Sequence, residues 1–177
     1  PLSSVSNNTS GAKALYAQWS QNYYTLRFSD SAGSSVPTNV QFAGNSSFLL
    51  PTQVPSRRGY IFTGWNTQSN GSGTTYAAGA SYPGALSDAY LYAQWTPGTY
   101  TVTFDLNDAD GGSTTASGRP SAATGATDSS IIISGTPPTR VGYTFGGWTT
   151  QASGAGTTYA AGATFPLGAD DHTIYAK

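Results

Sequence analysis

A short acidic stretch at residues 105–110 combines side chains that could bind a metal ion. Asp105, Asn107, Asp108 and Asp110 are of the kind that Ca²⁺ prefers, and Ca²⁺ takes roughly six to eight oxygen ligands. Counted from Asp105, however, Ala109 occupies the fifth position, where an EF-hand loop needs an oxygen ligand. Asp, Asn and Gly are also typical of turns. We therefore interpret the stretch as an acidic hairpin turn, with calcium as the lesser alternative, and predict no metal site.

Two tryptophans and two arginines could bind a ligand. The motif Gly-Tyr-x-Phe-x-Gly-Trp ends at Trp65 and again at Trp148, and an indole face could stack on a sugar ring. The favoured interpretation is core packing, because aromatic side chains supply much of the apolar area of this sequence. Arg58 and Arg140 lie just before the two motifs and could anchor an acidic ligand. A surface arginine that packs over an aromatic ring is the favoured interpretation for both.

The composition argues against catalysis and against several classes of partner. Cys and Glu are absent and the chain has one histidine, His172, which we expect in an exposed loop. Asp88 and Asp171 are matched carboxylates, but they are 83 residues apart, so no paired acid and base is predicted. Seven basic residues and a net charge of −1 exclude a nucleic-acid surface. We predict neither an enzyme nor a cofactor, and no insertion into a membrane.

The sequence is an internal repeat. Residues 59–94 align without gaps to residues 142–177, and twenty of the 36 aligned positions are identical. Residues 15–19 also repeat residues 91–95. We therefore predict the C-terminal remnant of a preceding repeat at 1–21, a first repeat, unit 1, at 22–96, and a second repeat, unit 2, at 97–177. Unit 2 is predicted to be truncated at its last strand.

The elements that position these residues are predicted to be short strands, about five in each unit. Strands are expected near residues 24–28, 40–42, 59–65 and 90–95 of unit 1, and near 100–105 and 130–134 of unit 2. Alternation over 59–65 predicts Tyr60 and Phe62 on one face and Trp65 on the other. The flanking glycines suggest a bulge or a close backbone approach. Any helix should be short, near 48–52 or 122–128. The short connection between the units favours a semi-rigid rod.

These residues carry a family resemblance. Tyr-x-Val-x-Phe-Asp-x-Asn, Pro-Pro-x-Arg-x-Gly-Tyr-x-Phe-x-Gly-Trp and Gly-x-x-Tyr follow one another through unit 2, which then matches Ile/Leu-Tyr-Ala-x-Trp over residues 174–176 only. Most of this order recurs in unit 1, where residues 91–95 hold the last motif complete. The pattern resembles the Listeria–Bacteroides repeat, the B-repeat of internalin-type bacterial surface proteins. Unit 1 departs from it at residues 28–33, in place of the usual Asp-x-Asn-Gly-Gly turn.

The resemblance implies a fold and a role. The fold class is α+β and β-rich: tandem small β-grasp (ubiquitin-like) repeats with little helix, each a curved mixed sheet over one short helix, arranged as an elongated rod. The role is a non-catalytic stalk or spacer of a secreted or cell-surface bacterial protein, with adhesion as a further role. Expected partners are neighbouring repeats and surface glycans or proteins. The alternative is a carbohydrate- or glycoprotein-binding module that uses exposed aromatics. Whether the variable segment 29–58 is a binding loop stays open.

Overall fold

The structure, a computed structural model, describes residues 15–30, 35–108 and 115–177. Within these ranges every regular element is a strand. The strands are β1 Tyr23–Ser29, β2 Val40–Ala43, β3 Phe48–Leu49, β4 Tyr60–Asn66, β5 Thr75–Tyr76, β6 Ser81–Tyr82, β7 Ala89–Pro97, β8 Thr99–Asp105, β9 Ala123–Ala126, β10 Ser130–Ile132, β11 Trp148–Thr149, β12 Thr158–Tyr159, β13 Thr164–Pro166 and β14 His172–Ala176.

The expected short helix is wrong for the described residues, and with it the α component of the predicted fold class. The segment near residues 48–52 contributes β3, and the segment near 122–128 contributes β9. Burial along β9 alternates residue by residue, and its residues pair with β8 from Val102↔Ala123 to Thr99↔Ala126. This segment has side chains that alternate in burial and a neighbouring strand to pair with, and both favour a strand. A helix would need an apolar stripe of helical period, which the segment lacks.

Two five-stranded sheets share one arrangement. The first has the order β2-β1-β7-β4-β5 and the second the order β12-β11-β14-β8-β9. Strands β8, β9, β11, β12 and β14 of unit 2 correspond to β1, β2, β4, β5 and β7 of unit 1, so the second order is the first one counted from the opposite edge. In each sheet the first and last strands of the unit pair in parallel, β1 with β7 and β8 with β14, and every other pairing is antiparallel. Two-stranded sheets β3-β6 and β10-β13 complete the fold.

Each unit has its own apolar core. In unit 1 the fully buried core side chains include Leu26, Trp65 and Leu91, and in unit 2 they include Val102, Trp148 and Ile174. These six residues occupy equivalent places on the two sheets. The central parallel strands, β1 with β7 and β8 with β14, therefore form one side of each core, and the tryptophan of the repeated motif packs against them.

A bulge in β4 corrects one prediction. The pairing of β4 with β7 shifts register between Phe62 and Gly64, and Gly64 has a φ of +145°. The extra residue brings Trp65 to the same side as Phe62, and their rings meet edge to face at 5.2 Å. The predicted bulge is confirmed, whereas the prediction that Trp65 faces away from Phe62 is wrong, because the bulge resets the alternation.

A buried amide holds the hairpin after β4. The Asn66 amide nitrogen donates to the carbonyls of Gly71 and Gly73 at 3.1 Å each and to Thr75 Oγ1 at 2.8 Å. Its oxygen accepts from the backbone N–H groups of Gln68 (2.8 Å) and Gly73 (3.0 Å). Asn66 is fully buried, so this network satisfies every polar group of its side chain.

A carboxylate links the central strands in both units. Asp88 accepts from the backbone N–H of Thr25 at 2.8 Å, and Asp171 accepts from that of Thr101 at 2.7 Å. Arg27 also forms a 2.8 Å ion pair with Asp88. The hydrogen bond from Arg27 and that from Thr25 lower the pKa of Asp88. The matched aspartates therefore anchor the start of the last strand beside the first.

Candidate functional site: the junction between the repeats

The two tryptophans named as candidate sugar platforms lie inside the cores. Trp65 and Trp148 are both 0% exposed. Trp65 lies edge-on to Phe28 at 4.8 Å, and Trp148 lies edge-on to Phe104 at 5.0 Å. Both indoles are enclosed, so neither can offer a face to a ligand. Trp65 and Trp148 are therefore core residues, as the favoured interpretation predicted, and they are removed from the binding candidates.

The acidic stretch is tied to its own loops where the structure describes it. The backbone N–H of Asn107 donates to Asp105 at 2.7 Å, and the Asn107 amide donates to the carbonyls of Ala152 (2.8 Å) and Ala176 (3.2 Å). Asp108 accepts from the backbone N–H of Ala116 at 3.2 Å. Asp110 lies outside the described residues. Among those that are described, no group of three or more metal-ligating His, Cys, Asp or Glu side chains comes together.

The two candidate arginines occupy different environments. Arg140 lies over the ring of Tyr143 at 4.3 Å, and its equivalent in unit 1 is Arg57, which lies over Tyr60 at 3.7 Å. The residue at the Arg58 position in unit 2 is Val141. Arg58 forms an ion pair with Asp170 of unit 2. One candidate therefore packs over an aromatic ring, as predicted, while the other contacts the neighbouring unit.

The contact of Arg58 belongs to a larger junction between the two units. The backbone N–H of Gly98 donates to the carbonyl of Gly59 at 2.7 Å, and the N–H of Thr127 donates to the carbonyl of Gly98 at 2.9 Å. The Thr127 hydroxyl donates to the Gly59 carbonyl as well. Residues from the corner before β4, from the connection between β7 and β8, and from the turn after β9 thus form one backbone network.

Gly59 makes the close approach possible. Its φ is +80°, and an added Cβ would lie 2.6 Å from the Cβ of Ala169 and 2.7 Å from Cγ2 of Thr127. Gly142, the equivalent residue of unit 2, has nearly the same φ of +82° but nothing within 4 Å of such a Cβ. The conformation of this corner repeats in both units, and in unit 1 the second repeat packs against it.

Tyr60 adds a side-chain contact across the junction. Its hydroxyl donates to Asp128 at 3.0 Å, and this hydrogen bond raises the pKa of Tyr60. Asp128 is one of four non-glycine residues with positive φ in the described ranges, and its equivalent, Asn45, is another. The turn after β9 therefore presents a carboxylate to the preceding unit. The arrangement can fix the orientation of neighbouring repeats.

Sequence reasoning did not find the unit 2 side of this junction. Thr127, Asp128 and Asp170 lie in loops of unit 2, and their unit 1 equivalents are Gly44, Asn45 and Ser87. These three residues contact the other unit, so their types are not repeated in unit 1 and the internal repeat gives no signal for them.

The prediction that His172 lies in an exposed loop is wrong. His172 begins β14, and its ring meets that of Phe165 edge to face at 5.3 Å.

Among the described residues no helix is long and apolar enough to span a membrane.

Comparison with known proteins places the repeats in a family. The chain is 36% identical over 163 residues to a protein of Evansella cellulosilytica described as a Gly-rich membrane protein; the match covers 88% of this chain and 18% of that protein. It is 35% identical over 140 residues to Internalin H of Listeria monocytogenes, which covers 79% of this chain and 23% of the internalin. The chain thus spans about a fifth of the length of these relatives.

A solved structure of streptococcal high identity repeats in tandem (SHIRT) domains 3-4 from a cell surface protein matches at 17% identity and a TM-score of 0.27. It covers 86% of this chain and 95% of that one, but the TM-score is too low to support an argument. The family model of the Listeria-Bacteroides repeat domain matches twice, at residues 24–94 and 100–177. The chain therefore belongs to the Listeria-Bacteroides repeat domain family.

Proposed function

We propose that this chain is a non-catalytic repeat region that acts as a stalk or spacer in a secreted or cell-surface bacterial protein. The observation that carries the proposal is the junction, where backbone hydrogen bonds, the Tyr60–Asp128 hydrogen bond and the close approach at Gly59 join one repeat to the next. A spacer needs repeats that hold their relative orientation, since each unit then adds a fixed length. The similarity to Internalin H and to a membrane protein supports a location outside the cell or at its surface.

We further propose that each repeat is a β-grasp sheet without its helix and that tandem repeats form an elongated rod. The support is the strand order, in which the first and last strands of a unit pair in parallel at the centre and the others flank them antiparallel. The boundaries proposed for the units are 22–96 and 97–177, with 1–21 as the remnant of a preceding repeat.

Adhesion to surface glycans or proteins is a second candidate role. Tyr90 and Tyr92 stack at 6.2 Å on β7, Tyr90 is half exposed, and the Arg27 guanidinium lies 5.6 Å from the Tyr90 ring. This group offers a half-exposed aromatic face to a ligand, beside the Arg27–Asp88 ion pair. The same observation defines the variant that distinguishes adhesion from spacing.

The test is binding of the purified chain to a panel of glycans, peptidoglycan and extracellular-matrix proteins, with an unrelated repeat protein of similar charge as control. The spacer proposal predicts no saturable binding by the wild type. Saturable binding that the Tyr90→Ala variant loses, while its circular dichroism spectrum stays unchanged, would replace the spacer role with adhesion.

A further inference from the structure

The hairpin between β4 and β5 contains a chemically reactive step. Asn70 is followed by Gly71, and the sequence has no other Asn-Gly pair. The side-chain amide carbon of an asparagine lies within reach of the next backbone nitrogen, and a glycine there has no side chain to hinder the approach. Attack of that nitrogen on the amide carbon closes a five-membered succinimide ring. The equivalent pair in unit 2 is Ser153-Gly154, which cannot form this ring.

The folded hairpin holds this step away from ring closure. The backbone N–H of Gly71 donates to the carbonyl of Gln68 at 3.1 Å and closes a turn whose two central residues have negative φ, as in type I. Ring closure requires a rotation about the Cα–C bond of Asn70, and that rotation breaks the turn. Ser72 also holds the Asn70 side chain, because its backbone N–H and its hydroxyl donate to Asn70 Oδ1 at 3.1 and 2.8 Å.

The buried Asn66 amide reinforces the turn from inside the hairpin. It donates to the carbonyls of Gly71 and Gly73 at 3.1 Å each. Gly71 also lies close to β7, since an added Cβ would be 2.8 Å from Oε1 of Gln94. In unit 2 the position of Asn66 is taken by Thr149. The hairpin that contains the reactive step is therefore also the one that contains the buried amide.

We propose that Asn70 is a self-modification site, which the chain converts to aspartate and isoaspartate at a rate set by local opening of the hairpin. In the open hairpin the Gly71 nitrogen gives its proton to hydroxide and attacks Cγ of Asn70. The Cγ–Nδ2 bond breaks, and the leaving nitrogen takes a proton from water and departs as ammonia. Water then hydrolyses the succinimide. Cleavage at Cγ gives aspartate, and cleavage at the backbone carbonyl gives isoaspartate.

Either product changes unit 1 irreversibly. Both add a negative charge to residues 59–87, a segment that contains no charged residue. Isoaspartate also routes the main chain through the side-chain carbons of residue 70, and the added main-chain atom displaces Gly71 from Asn66 and Gln94. The modification therefore loosens the hairpin of one repeat and leaves the other unchanged. The spacer role does not use this hairpin, so failure of the proposal leaves that role intact.

The test is incubation of the folded chain at mildly alkaline pH, followed by chymotryptic cleavage and mass spectrometry. Cleavage after Trp65 and after Tyr76 releases residues 66–76, in which tandem spectra locate the mass gain of an amide converted to an acid. We expect gradual conversion at Asn70, none at Asn66, and much faster conversion at Asn70 in the urea-unfolded chain. Equal rates in the folded and unfolded chains, or no conversion in the folded chain, would overturn the proposal.

Variants of the hairpin test its control of the rate. Asn66→Ala should speed conversion of Asn70 by about tenfold, because loss of the amide network favours the open hairpin. Ser72→Ala, at an exposed position, removes one donor to Asn70 and should speed conversion by a smaller factor. Thr149→Ala is the matched control in unit 2 and should leave the rate unchanged, since each unit has its own core. Unchanged rates in both hairpin variants, or an equal increase in Thr149→Ala, would overturn the proposal.

Discussion

Trp65 anchors the core of unit 1 through the rings around it. Phe28 and Phe62 meet its indole edge to face at 4.8 and 5.2 Å, and Phe104 and Phe145 surround Trp148 in the same way at 5.0 and 5.4 Å. The indole is the largest fully buried side chain of each small core, and the two units surround it with rings in the same way.

Replacement of Trp65 by alanine should leave a cavity that the core cannot close. We expect the free energy of unfolding of unit 1 to fall by about 3–5 kcal/mol. Urea denaturation followed by circular dichroism measures this loss. Trp19→Ala is the matched control, and because that side chain is exposed its effect should stay within about 0.5 kcal/mol. Equal effects of the two substitutions would contradict the packing described here.

The Asn66 network gives a second prediction at the residue scale. Asn66→Ala removes the five hydrogen bonds that this buried amide makes to the hairpin, so unfolding by urea should show a loss of about 1–3 kcal/mol. Asn66→Thr introduces the residue found at the equivalent buried position, Thr149, and should cost less. A smaller loss for alanine than for threonine would show that the amide network does not stabilise the hairpin.

Among the elements, the parallel pair at the centre of each sheet depends on an aspartate at the start of the last strand. Asp88 accepts from Thr25 and from Arg27, and these hydrogen bonds lower its pKa. A carboxyl group with a lowered folded-state pKa stabilises the fold above its unfolded pKa of about 4 and loses that contribution as the pH falls through the folded value.

Stability measured by urea denaturation should therefore fall in acid partly through Asp88. The difference between the wild type and Asp88→Asn should be largest at neutral pH and should shrink as the pH falls below about 4. Asp128→Asn is a useful control, because Asp128 faces the junction rather than the central strands. A difference that stays constant with pH would exclude the charge of Asp88 as its cause.

Much of the strand layout followed from the sequence, because alternating side chains and internal repetition act locally. The strands around Tyr24, Tyr100 and Leu91 and the bulge at Gly64 were predicted in this way. The side of the sheet taken by Trp65 was not, since it depends on the register shift that the bulge produces. The absence of helix in the described residues was missed because that expectation came from the family resemblance.

At the scale of the whole molecule, the junction joins loops that sequence patterns treat separately. Gly59 approaches Ala169 and Thr127, which are more than 60 residues away along the chain. Their proximity follows from how the second sheet packs against the corner before β4. Composition and periodicity carry no signal for it, which is why Arg58 was considered as a ligand anchor rather than as an inter-repeat contact.

A comparison of Gly59→Ala with Gly142→Ala separates the effect of backbone strain, which both variants share, from the effect of disturbing the junction, which only Gly59→Ala has. Both glycines have a positive φ, so each substitution should cost about 1–3 kcal/mol. Gly59→Ala should also displace Ala169 or Thr127 and change the orientation of unit 2. Thermal unfolding reports the first effect, and residual dipolar couplings report the second. An unchanged orientation in the Gly59→Ala variant would contradict the close approach.

The central claim is that the junction holds neighbouring repeats in one orientation, and a distance between the units tests it most directly. The chain has no cysteine, so two introduced cysteines can be labelled selectively. Leu49→Cys in unit 1 and Ile132→Cys in unit 2, both at exposed positions, can carry the spin labels for a distance measurement by pulsed electron–electron double resonance. The account predicts a single narrow distance distribution that broadens when Tyr60→Phe and Arg58→Ala are combined. A broad distribution in the labelled chain with an intact junction would contradict the claim.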